Sequence, residues 1–345
     1  MRAMILAAGY GTRLWPLTID RAKPAIPFLN RPLVGYVAEY LARYGYREIA
    51  VNLHHRGESV RSALGDGARF GVNLHYVEEP EILGTSGALD NARAWLEGDT
   101  FIVINGKIVT DIDLSDALAT HRRRNALATL VLLPNPQRER FSIVNTHDGL
   151  ITGFGSMPTA HKIHASDNAE ESLDSSLDED METENTPLMF TGIQILEPRI
   201  FNYIPPKIFS HTTTDVYPQA LRKGEVIAAH VAATGMWHEL STLERYLETH
   251  LAVLNEKGRG ISIGENSTIE NGAEAEDAVL WENVTVERGA RVRRAVLGAG
   301  VRVRAGEEVE NSILVRAELL KGEERPEKAL NGEVRGDNFV VPLPR

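Results

Sequence analysis

The sequence contains no cysteine and no long hydrophobic run. The lack of cysteine excludes disulfide bonds, thiolate nucleophiles and cysteine-ligated zinc, and it favours a reducing, cytoplasmic location. A membrane-spanning helix needs about 20 apolar residues in succession, and no segment approaches that length. The apolar residues 4–8 are too few for the hydrophobic core of a secretion signal, so they predict a buried first strand.

Positive charge is also scarce, because 37 lysines and arginines face 48 aspartates and glutamates and give a formal net charge of −11 at pH 7. Nucleic acids and anionic membranes bind basic surfaces. We therefore expect neither of them as a main partner. An anionic substrate has to be bound by a local group of cations.

The length of 345 residues is more than one hydrophobic core usually serves, and it predicts two domains. Hydrophobic residues make up 43% of the chain and charged residues 25%, as in ordinary globular proteins. A change of sequence pattern places the first domain at 1–257 and the second, which includes the C-terminal tail, at 258–345.

The first domain alternates between short apolar runs and amphipathic segments. Strands are predicted at 3–7, 48–52, 74–77 and 128–133, and helices at 33–44, 57–64, 86–95 and 114–124, with an apolar run at 101–104. This βαβ rhythm predicts an α/β fold with a Rossmann-like, doubly wound and mostly parallel sheet. A strand at 188–196 and a helix at 243–254 complete the domain.

Residues 159–187 interrupt this domain and are dominated by serine, aspartate, glutamate and asparagine. Such a composition cannot bury enough apolar surface to form a core, so it predicts a mobile surface insertion. The acidic run at 178–184 has an alternative interpretation as a binding motif, which the composition favours less.

The C-terminal domain contains an internal repeat of 17 residues. Two sets of residues show the repeat: Gly272, Gly289 and Gly306, and Ile263, Leu280, Leu297 and Leu314. Within each repeat an aliphatic residue recurs every six positions, a spacing that neither helices nor flat strands have. The pattern predicts a left-handed parallel β-helix of hexapeptide-type repeats, with a meander of hairpins as the alternative. Because the ends of such a solenoid are exposed, we expect it to form a homo-oligomer.

The strongest local motif follows the first strand, in a segment that we name the glycine loop, residues 6–18 (LAAGYGTRLWPLT). Gly9 and Gly11 allow the backbone to approach a polyphosphate closely, because they lack Cβ atoms. Arg13 adds a fork of donors for phosphate oxygens, and Lys23 adds a positive charge shortly downstream. A glycine-rich turn alone is a weak signal, but this combination predicts a phosphate-binding site rather than a purely structural turn.

This motif resembles the signature of the nucleoside-diphosphate-sugar pyrophosphorylases, or sugar-1-phosphate nucleotidyltransferases, and most closely the mannose-1-phosphate guanylyltransferase type. Further landmarks of that family appear in order at 30–32, 51–54, 83–89, 105–106, 190–192 and 240–246. The resemblance implies that a sugar-1-phosphate oxygen attacks the α-phosphorus of a nucleoside triphosphate (NTP) and that pyrophosphate leaves. Such a reaction depends on positioning and charge neutralisation, without a covalent enzyme intermediate.

The resemblance also implies roles for individual residues. The nucleotide-binding residues are Leu6, Ala8, Gly9, Gly11, Thr12, Arg13, Glu79, Gly84 and Thr85. The sugar-binding residues are Asn105, Gly106, Thr191 and Gly192. The catalytic residues are Arg13, Lys23 and Lys107.

Glu79 indicates which base is bound. It lies five residues before Gly84, where the family places a side chain that faces the base. An ionised carboxylate accepts well from the two donors on the guanine edge, so Glu79 favours GTP, with a solvated surface acid as the alternative. Mannose-1-phosphate is the favoured sugar by resemblance alone. Adjacent residues on a strand point to opposite faces, so His54 and His55 are not expected to share a metal.

Three places depart from the family pattern. Lys107 stands where the family has a metal-binding Asp, and Glu239 stands where the family has a second one. Residues 155–158 lack the Glu-Lys-Pro that many relatives use for the sugar and its phosphate. These departures put the usual metal site in doubt.

Two hypotheses account for the departures. In the first, the site is active but rewired: Asp111 or Asp113 binds Mg²⁺ or Mn²⁺ together with Glu239, and Lys107 contacts the phosphates. In the second, the chain is a catalytically silent, nucleotide-sugar-binding regulatory or scaffold subunit, which implies a hetero-oligomer with a catalytic paralogue. The intact glycine loop fits both hypotheses, because binding and transfer both need it.

Overall fold

A computed structural model describes residues 2–137, 139, 142–155 and 186–344. The predicted insertion at 159–187 therefore lies outside the described residues, apart from its last two positions. The structure divides into two compact units. The first consists of Met1–Ile82, Ile104–Asp111 and Met236–Arg345, and the second of Leu83–Val103 and Ile112–Gly235.

Strands and helices alternate along most of the chain. Up to residue 96 they are β1 (Arg2–Leu6), β2 (Pro27–Phe28), β3 (Arg31–Pro32), α1 (Leu33–Arg43), β4 (Glu48–Leu53), α2 (Gly57–Leu64), β5 (Asn73–Glu78), α3 (Gly84–Asn91) and α4 (Arg93–Leu96). Up to residue 239 they are β6 (Phe101–Asn105), β7 (Ile108–Thr110), α5 (Leu114–Arg124), β8 (Ala128–Pro134), β9 (Ile143–His147), β10 (Leu150–Gly155), β11 (Leu188–Leu196), α6 (Tyr217–Arg222), β12 (Ile227–Val231) and β13 (Trp237–Glu239). The remainder are α7 (Leu243–Glu256), β14 (Ile261–Ile263), β15 (Thr268–Ile269), β16 (Glu274–Leu280), β17 (Thr285–Val286), β18 (Arg291–Leu297), β19 (Arg302–Val303), β20 (Glu308–Arg316), β21 (Glu333–Arg335) and β22 (Asn338–Pro342).

In the first unit, β4 lies between β1 and β5, and both pairings are parallel. Parallel neighbours need crossover connections, which α1 and α2 supply. Met4 and Ile5 of β1 are fully buried, because helices and loops cover both faces of such a sheet. The register aligns Leu6, at the end of β1, with Asn52. The α/β arrangement predicted for the N-terminal segment is confirmed.

The C-terminal strands confirm the predicted repeat. Parallel pairing aligns one leucine or isoleucine from each coil: Ile263, Leu280, Leu297 and Leu314. The glycines at the equivalent corners all have positive φ angles: Gly272, Gly289 and Gly306. Leu280 and Leu297 are fully buried inside the coils. Successive coils of this β-helix are therefore offset by 17 residues, as the repeat predicts.

The chain's own C-terminal segment covers the last coil. β22 pairs antiparallel with β20, and β21 pairs antiparallel with β22. One face of the β-helix therefore runs in the order β14-β16-β18-β20-β22-β21. The sequence pattern predicts a solenoid with exposed ends, whereas here a β-hairpin extends one edge.

One hydrophobic core joins the glycine loop, α7 and the β-helix within the first unit. Trp15 packs edge-on against Phe339 of β22, with ring centroids 5.4 Å apart. Trp281 donates a hydrogen bond to the hydroxyl of Tyr246 at 2.8 Å. The predicted domain boundary at residue 257 therefore separates two segments that share a core.

In the second unit the strands run in the order β11-β8-β12-β10-β9. β12 is parallel to β8, whereas β11 is antiparallel to β8 and β10 is antiparallel to β12. This part of the fold is mixed, in contrast to the parallel pairings of β4 with β1 and β5 in the first unit. The helix predicted at 86–95 is split at Ala92 into α3 and α4. Across the described ranges, none of the helices combines the length and hydrophobicity of a membrane span.

Candidate functional site

The glycine loop turns back on the residues that follow it. Gly11 has a φ of +68°, a conformation that residues with a Cβ rarely adopt. A Cβ at Gly11 would lie 3.0 Å from the Cβ of Lys23 and 3.2 Å from Cγ2 of Thr18. Gly9 is exposed, and no atom of the described residues lies within 4 Å of where its Cβ would be. The backbone at Gly9 is therefore accessible to a ligand, while Gly11 holds the loop against Lys23.

Lys23 is a buried lysine at the start of a 3₁₀ turn, Lys23–Ala25, with 8% of its surface exposed. Burial lowers the pKa of Lys23 well below its usual value. The charges of Lys107 and Arg13 lower this pKa further, against the opposing effect of Glu239. Cations therefore dominate the surroundings of Lys23, and an anion at this place would be stabilised.

Lys107 immediately precedes the short strand β7, and Glu239 ends the short strand β13. β7 pairs antiparallel with β13, and the register aligns Glu239 with Ile108. This alignment brings the side chains of Lys107 and Glu239 into an ion pair. Burial alone would raise the pKa of Glu239, but Lys107, together with Lys23 and Arg13, holds it below its usual value.

Lys107 and Glu239 are in contact, and the charges of Arg13 and Lys23 act on Glu239; we name these four residues the cation cluster. It unites all three predicted catalytic residues. Three cations and one carboxylate give it a formal excess of two positive charges when all four are ionised. This excess contrasts with the net charge of −11 for the whole chain. Phosphate groups suit such a cluster, because they accept charge-assisted hydrogen bonds from arginine and lysine.

Gly106 allows Lys107 to reach the cluster. The N–H of Gly106 donates to the carbonyl of Leu6 at 2.9 Å, and a Cβ at Gly106 would lie 3.0 Å from Cγ2 of Ile5. A side chain at this position would therefore require the end of β1 to shift by a few tenths of an ångström. Asn105 is half-buried at the end of β6. The sugar contacts of Asn105 and Gly106 stay a prediction, whereas the packing role of Gly106 is visible in the fold.

Glu79 is buried, with 4% of its surface exposed, so its alternative interpretation as a solvated surface acid is wrong. Its carboxylate accepts a hydrogen bond from Nδ2 of Asn52 at 2.7 Å. Oδ1 of Asn52 in turn accepts from the N–H of Ala7 at 2.7 Å. Ala7 lies between the predicted nucleotide-binding residues Leu6 and Ala8. Two hydrogen bonds therefore link Glu79 to the start of the glycine loop.

Three aromatic side chains in or beside the glycine loop have no functional role predicted from the sequence: Tyr10, His54 and His55. The ring of Tyr10 is 53% exposed and lies 5.7 Å from the ring of His54 and 5.5 Å from that of His55. The premise that both histidines lie on a strand is wrong, because β4 ends at Leu53. The landmark at 51–54 is the sequence signal that marks this group.

The predicted metal ligands Asp111 and Glu239 are not brought together. The carboxylate of Asp111 accepts a hydrogen bond from the N–H of Met236, whereas Glu239 pairs with Lys107. Glu239 is aligned with Ile108, three residues before Asp111. At about 3.3 Å per residue, the two acids are about 10 Å apart along the strands. A shared metal site of Asp111 and Glu239 does not fit this arrangement.

The residues present do not fit the Mg²⁺ that the resemblance implies. Mg²⁺ needs near-octahedral oxygen ligands at about 2.0–2.1 Å. Asp113, the other candidate ligand, caps α5 by accepting from the N–H of Ser115 at 2.8 Å. Within the part of the chain that the structure describes, no group of three or more potential ligands is placed to hold a metal. The cation cluster offers the single carboxylate of Glu239, which is already paired with Lys107.

Gly84 and Thr85 lie in the second unit, at the start of α3. Gly84 has a φ of +74°, and a Cβ there would lie 2.4 Å from the carbonyl oxygen of Ser210. The N–H of Thr85 donates to Nδ1 of His211 at 3.3 Å, and the hydroxyl of Thr85 accepts from the N–H of Thr212 at 3.0 Å. The start of α3 therefore packs on its own unit, and its nucleotide contacts stay a prediction.

Thr191 and Gly192 lie in the second unit, where the register of β11 with β8 shifts between Phe190 and Gln194. Thr191 is 1% exposed, and its hydroxyl donates to the carbonyl of Val131 at 2.8 Å. The side chain of Thr191 thus stabilises a β-bulge. A sugar contact here would have to come from the backbone, at Gly192 with its φ of +85°.

Proteins described with three different nucleotides are similar to this chain. It is 31% identical over 277 residues to a UTP–glucose-1-phosphate uridylyltransferase from Synechocystis sp. The alignment covers 76% of this chain and 66% of that protein. It is 25% identical over 245 residues to a mannose-1-phosphate guanylyltransferase from Mycobacterium tuberculosis. That alignment covers 71% of this chain and 62% of that protein. The chain thus spans less than two thirds of the length of either relative. A Bacillus anthracis crystal structure described as a glucose-1-phosphate thymidylyltransferase shares the fold, with a TM-score of 0.59 at 22% identity, covering 73% of this chain and 94% of that one.

Two family models match consecutive parts of the chain. The model described as nucleotidyl transferase matches residues 2–256, and the one described as GlmU-like, C-terminal hexapeptide matches residues 258–314. The first match contains the glycine loop and the whole cation cluster, and the second contains the repeat of the β-helix. The chain therefore belongs to the sugar-1-phosphate nucleotidyltransferase family.

Proposed function

We propose that the protein transfers a nucleotidyl group from an NTP to a sugar-1-phosphate, giving a nucleoside-diphosphate-sugar and pyrophosphate. The observation that carries this proposal is the cation cluster beside the glycine loop. A chain with a strongly negative net charge gathers three cations next to a motif that resembles the phosphate-binding signature of its family. An anionic substrate at this place would relieve the excess positive charge.

In the proposed reaction, an oxygen of the sugar-1-phosphate attacks the α-phosphorus of the NTP in line. A new phosphorus–oxygen bond forms, the bond from the α-phosphorus to the bridging oxygen breaks, and pyrophosphate leaves with the electron pair. Arg13 and Lys107 would donate to phosphate oxygens, and the same anion would favour the charged form of Lys23. The accessible backbone at Gly9 would admit the chain of phosphates.

We favour GTP and mannose-1-phosphate as the substrates. Glu79 supports GTP, because it is a carboxylate held by Asn52 at the start of the glycine loop. The sequence resemblance and the relative from Mycobacterium tuberculosis support mannose-1-phosphate. The relative from Synechocystis sp. supports UTP and glucose-1-phosphate instead.

We also propose that the protein is cytoplasmic and forms a homo-oligomer. Its copies would associate through the edge strands β14 and β21, where Ile263 and Val334 are exposed.

Lys107 favours a second candidate function, a catalytically silent subunit that binds a nucleotide-sugar and regulates or scaffolds a catalytic paralogue. A lysine paired with Glu239 stands where the resemblance implies a metal-binding aspartate. Such a subunit would retain the glycine loop for binding and would have no need of transfer.

Pyrophosphate release by the purified protein tests the two candidates. Each common NTP is combined with a panel of sugar-1-phosphates in Mg²⁺, in Mn²⁺ and in EDTA. We expect the fastest release with GTP and mannose-1-phosphate, and a reduced preference for GTP over UTP in Glu79→Gln. Silence with every pair, together with calorimetric binding of GDP-mannose, would select the regulatory function. Silence without any binding would reject both.

A further inference from the structure

In the cation cluster, the ammonium of Lys107 pairs with Glu239, so the positive charge beside this carboxylate comes from the protein itself. Glu239 stands where the resemblance implies a metal-binding carboxylate, and it contacts the ammonium nitrogen of Lys107. Glu239 is 8% exposed and Lys107 is 32% exposed, so the ammonium is the more accessible partner. A lysine ammonium is a compact charge with three donors on a flexible stem. It can therefore turn from Glu239 to a phosphate oxygen without leaving the site.

The surrounding charges disfavour a divalent cation at this place. Arg13, Lys23 and Lys107 all act on Glu239. A metal that entered here would compete with these cations for one carboxylate, at the cost of like-charge repulsion. Asp111 does not supply a second ligand beside Glu239, because the register places it three residues further along the strands. A metal-free polyphosphate carries more negative charge than its Mg²⁺ complex, so it gains more from the cluster.

We propose that the Lys107 ammonium takes the place of the divalent cation, so that the site binds the metal-free nucleotide polyphosphate. This inference rests on the nucleotide site of the proposed function. In the free protein, Glu239 holds Lys107 beside the glycine loop. When the polyphosphate binds, the ammonium contacts a phosphate oxygen, and Glu239 remains as its counter-ion. Arg13, Lys23 and Lys107 then neutralise the phosphates.

Calorimetric titration of the full-length protein with GTP, UTP and inorganic tripolyphosphate, each in EDTA and in excess Mg²⁺, tests the inference. We expect the wild type to bind metal-free ligands at least as tightly as their Mg²⁺ complexes. Lys107→Met should weaken metal-free binding by about tenfold or more, the scale for losing a charge-assisted hydrogen bond. Lys107→Arg should keep it within a few-fold, because it preserves the charge. Lys321→Met removes an exposed lysine as the control. It should change neither the affinity for the metal-free ligands nor the affinity for their Mg²⁺ complexes.

Glu239→Gln distinguishes a counter-ion from a metal ligand. A glutamine can still accept from Lys107 but removes one negative charge, so metal-free binding should stay unchanged or become tighter. An Mg²⁺ complex that binds about tenfold tighter in the wild type, with that advantage lost in Glu239→Gln, would overturn the inference and leave the proposed nucleotide site intact. Absence of binding by every ligand in both conditions would overturn the inference and the proposed function together.

Discussion

Two groups of polar side chains in the first unit differ in how their polar atoms are paired. One group, which we name the aromatic seam, consists of Tyr246, His250 and Trp281. Nδ1 of His250 donates to the carbonyl of Tyr246 at 2.7 Å, and Nε2 accepts from the N–H of Leu29 at 3.1 Å. The hydroxyl of Tyr246 accepts from Trp281 and donates to the carbonyl of Pro27. Every one of these partners belongs to the chain.

The cation cluster has no such internal balance, because three cations share one carboxylate. Burial disfavours the charged form of Lys23, and neighbouring cations add to that effect. Buried polar groups that only stabilise a fold are normally paired within it. The aromatic seam is therefore completed by the fold itself, whereas we propose that an anionic ligand completes the cation cluster.

The largest effect is expected when the aromatic seam is broken. Trp281→Ala should lower the free energy of unfolding by about 3–5 kcal/mol, because the side chain is 2% exposed and its loss leaves a cavity. Trp281→Phe keeps most of the volume and should cost about 1–2 kcal/mol, from the lost hydrogen bond to Tyr246. Chemical denaturation measures both changes. A loss below about 1 kcal/mol for Trp281→Ala would show that the seam contributes little to the core.

Arg13→Ala should act on function and leave stability unchanged. Transfer, or binding in a silent protein, should weaken by about 2–4 kcal/mol, the scale for losing a charge-assisted phosphate contact or a transition-state donor. The free energy of unfolding should not change, because Arg13 is exposed. Arg222→Ala removes an exposed arginine of the second unit as the matched control. Equal losses of function in the two variants would remove Arg13 from the site.

Acid should weaken the aromatic seam through His250. Burial lowers the pKa of His250 from 6.5 to about 4. The unfolded chain therefore takes up the proton more readily, and stability should fall as the pH drops from 6.5 to about 4, by up to about 3 kcal/mol. Above pH 6.5 this contribution is constant. Denaturation across that range measures the effect, and an unchanged pH dependence in His250→Gln would show that another group is responsible.

The features that could be predicted from the sequence arise from local or repeated patterns. The repeat of 17 residues predicts the stacking of coils, because side chains that recur at one spacing must align in a solenoid. The glycine loop is equally local: Gly11 supplies the positive φ, and Arg13 and Lys23 follow within a few residues. In both regions, neighbouring or regularly repeated residues were enough to predict the backbone arrangement.

The features that could not be predicted depend on contacts between distant segments. The pairing of Lys107 with Glu239 follows from the β7–β13 register, and no neighbouring residue indicates it. The hydrogen bonds of Glu79 require Asn52 on a separate strand. The return of β22 onto β20 likewise has no local signature, although it places Phe339 against the glycine loop.

The metal dependence of pyrophosphate release tests the central claim most directly. The ratio of rates in Mg²⁺ and in EDTA is measured for the wild type and for the double variant Lys107→Asp/Glu239→Asp, which restores both aspartates of the family pattern. We predict a ratio of about one or below for the wild type and a ratio well above one for the double variant, because only the variant offers two carboxylates to the metal. A wild type that is active in Mg²⁺ and silent in EDTA would contradict this, as would a silent wild type whose double variant gains Mg²⁺-dependent release.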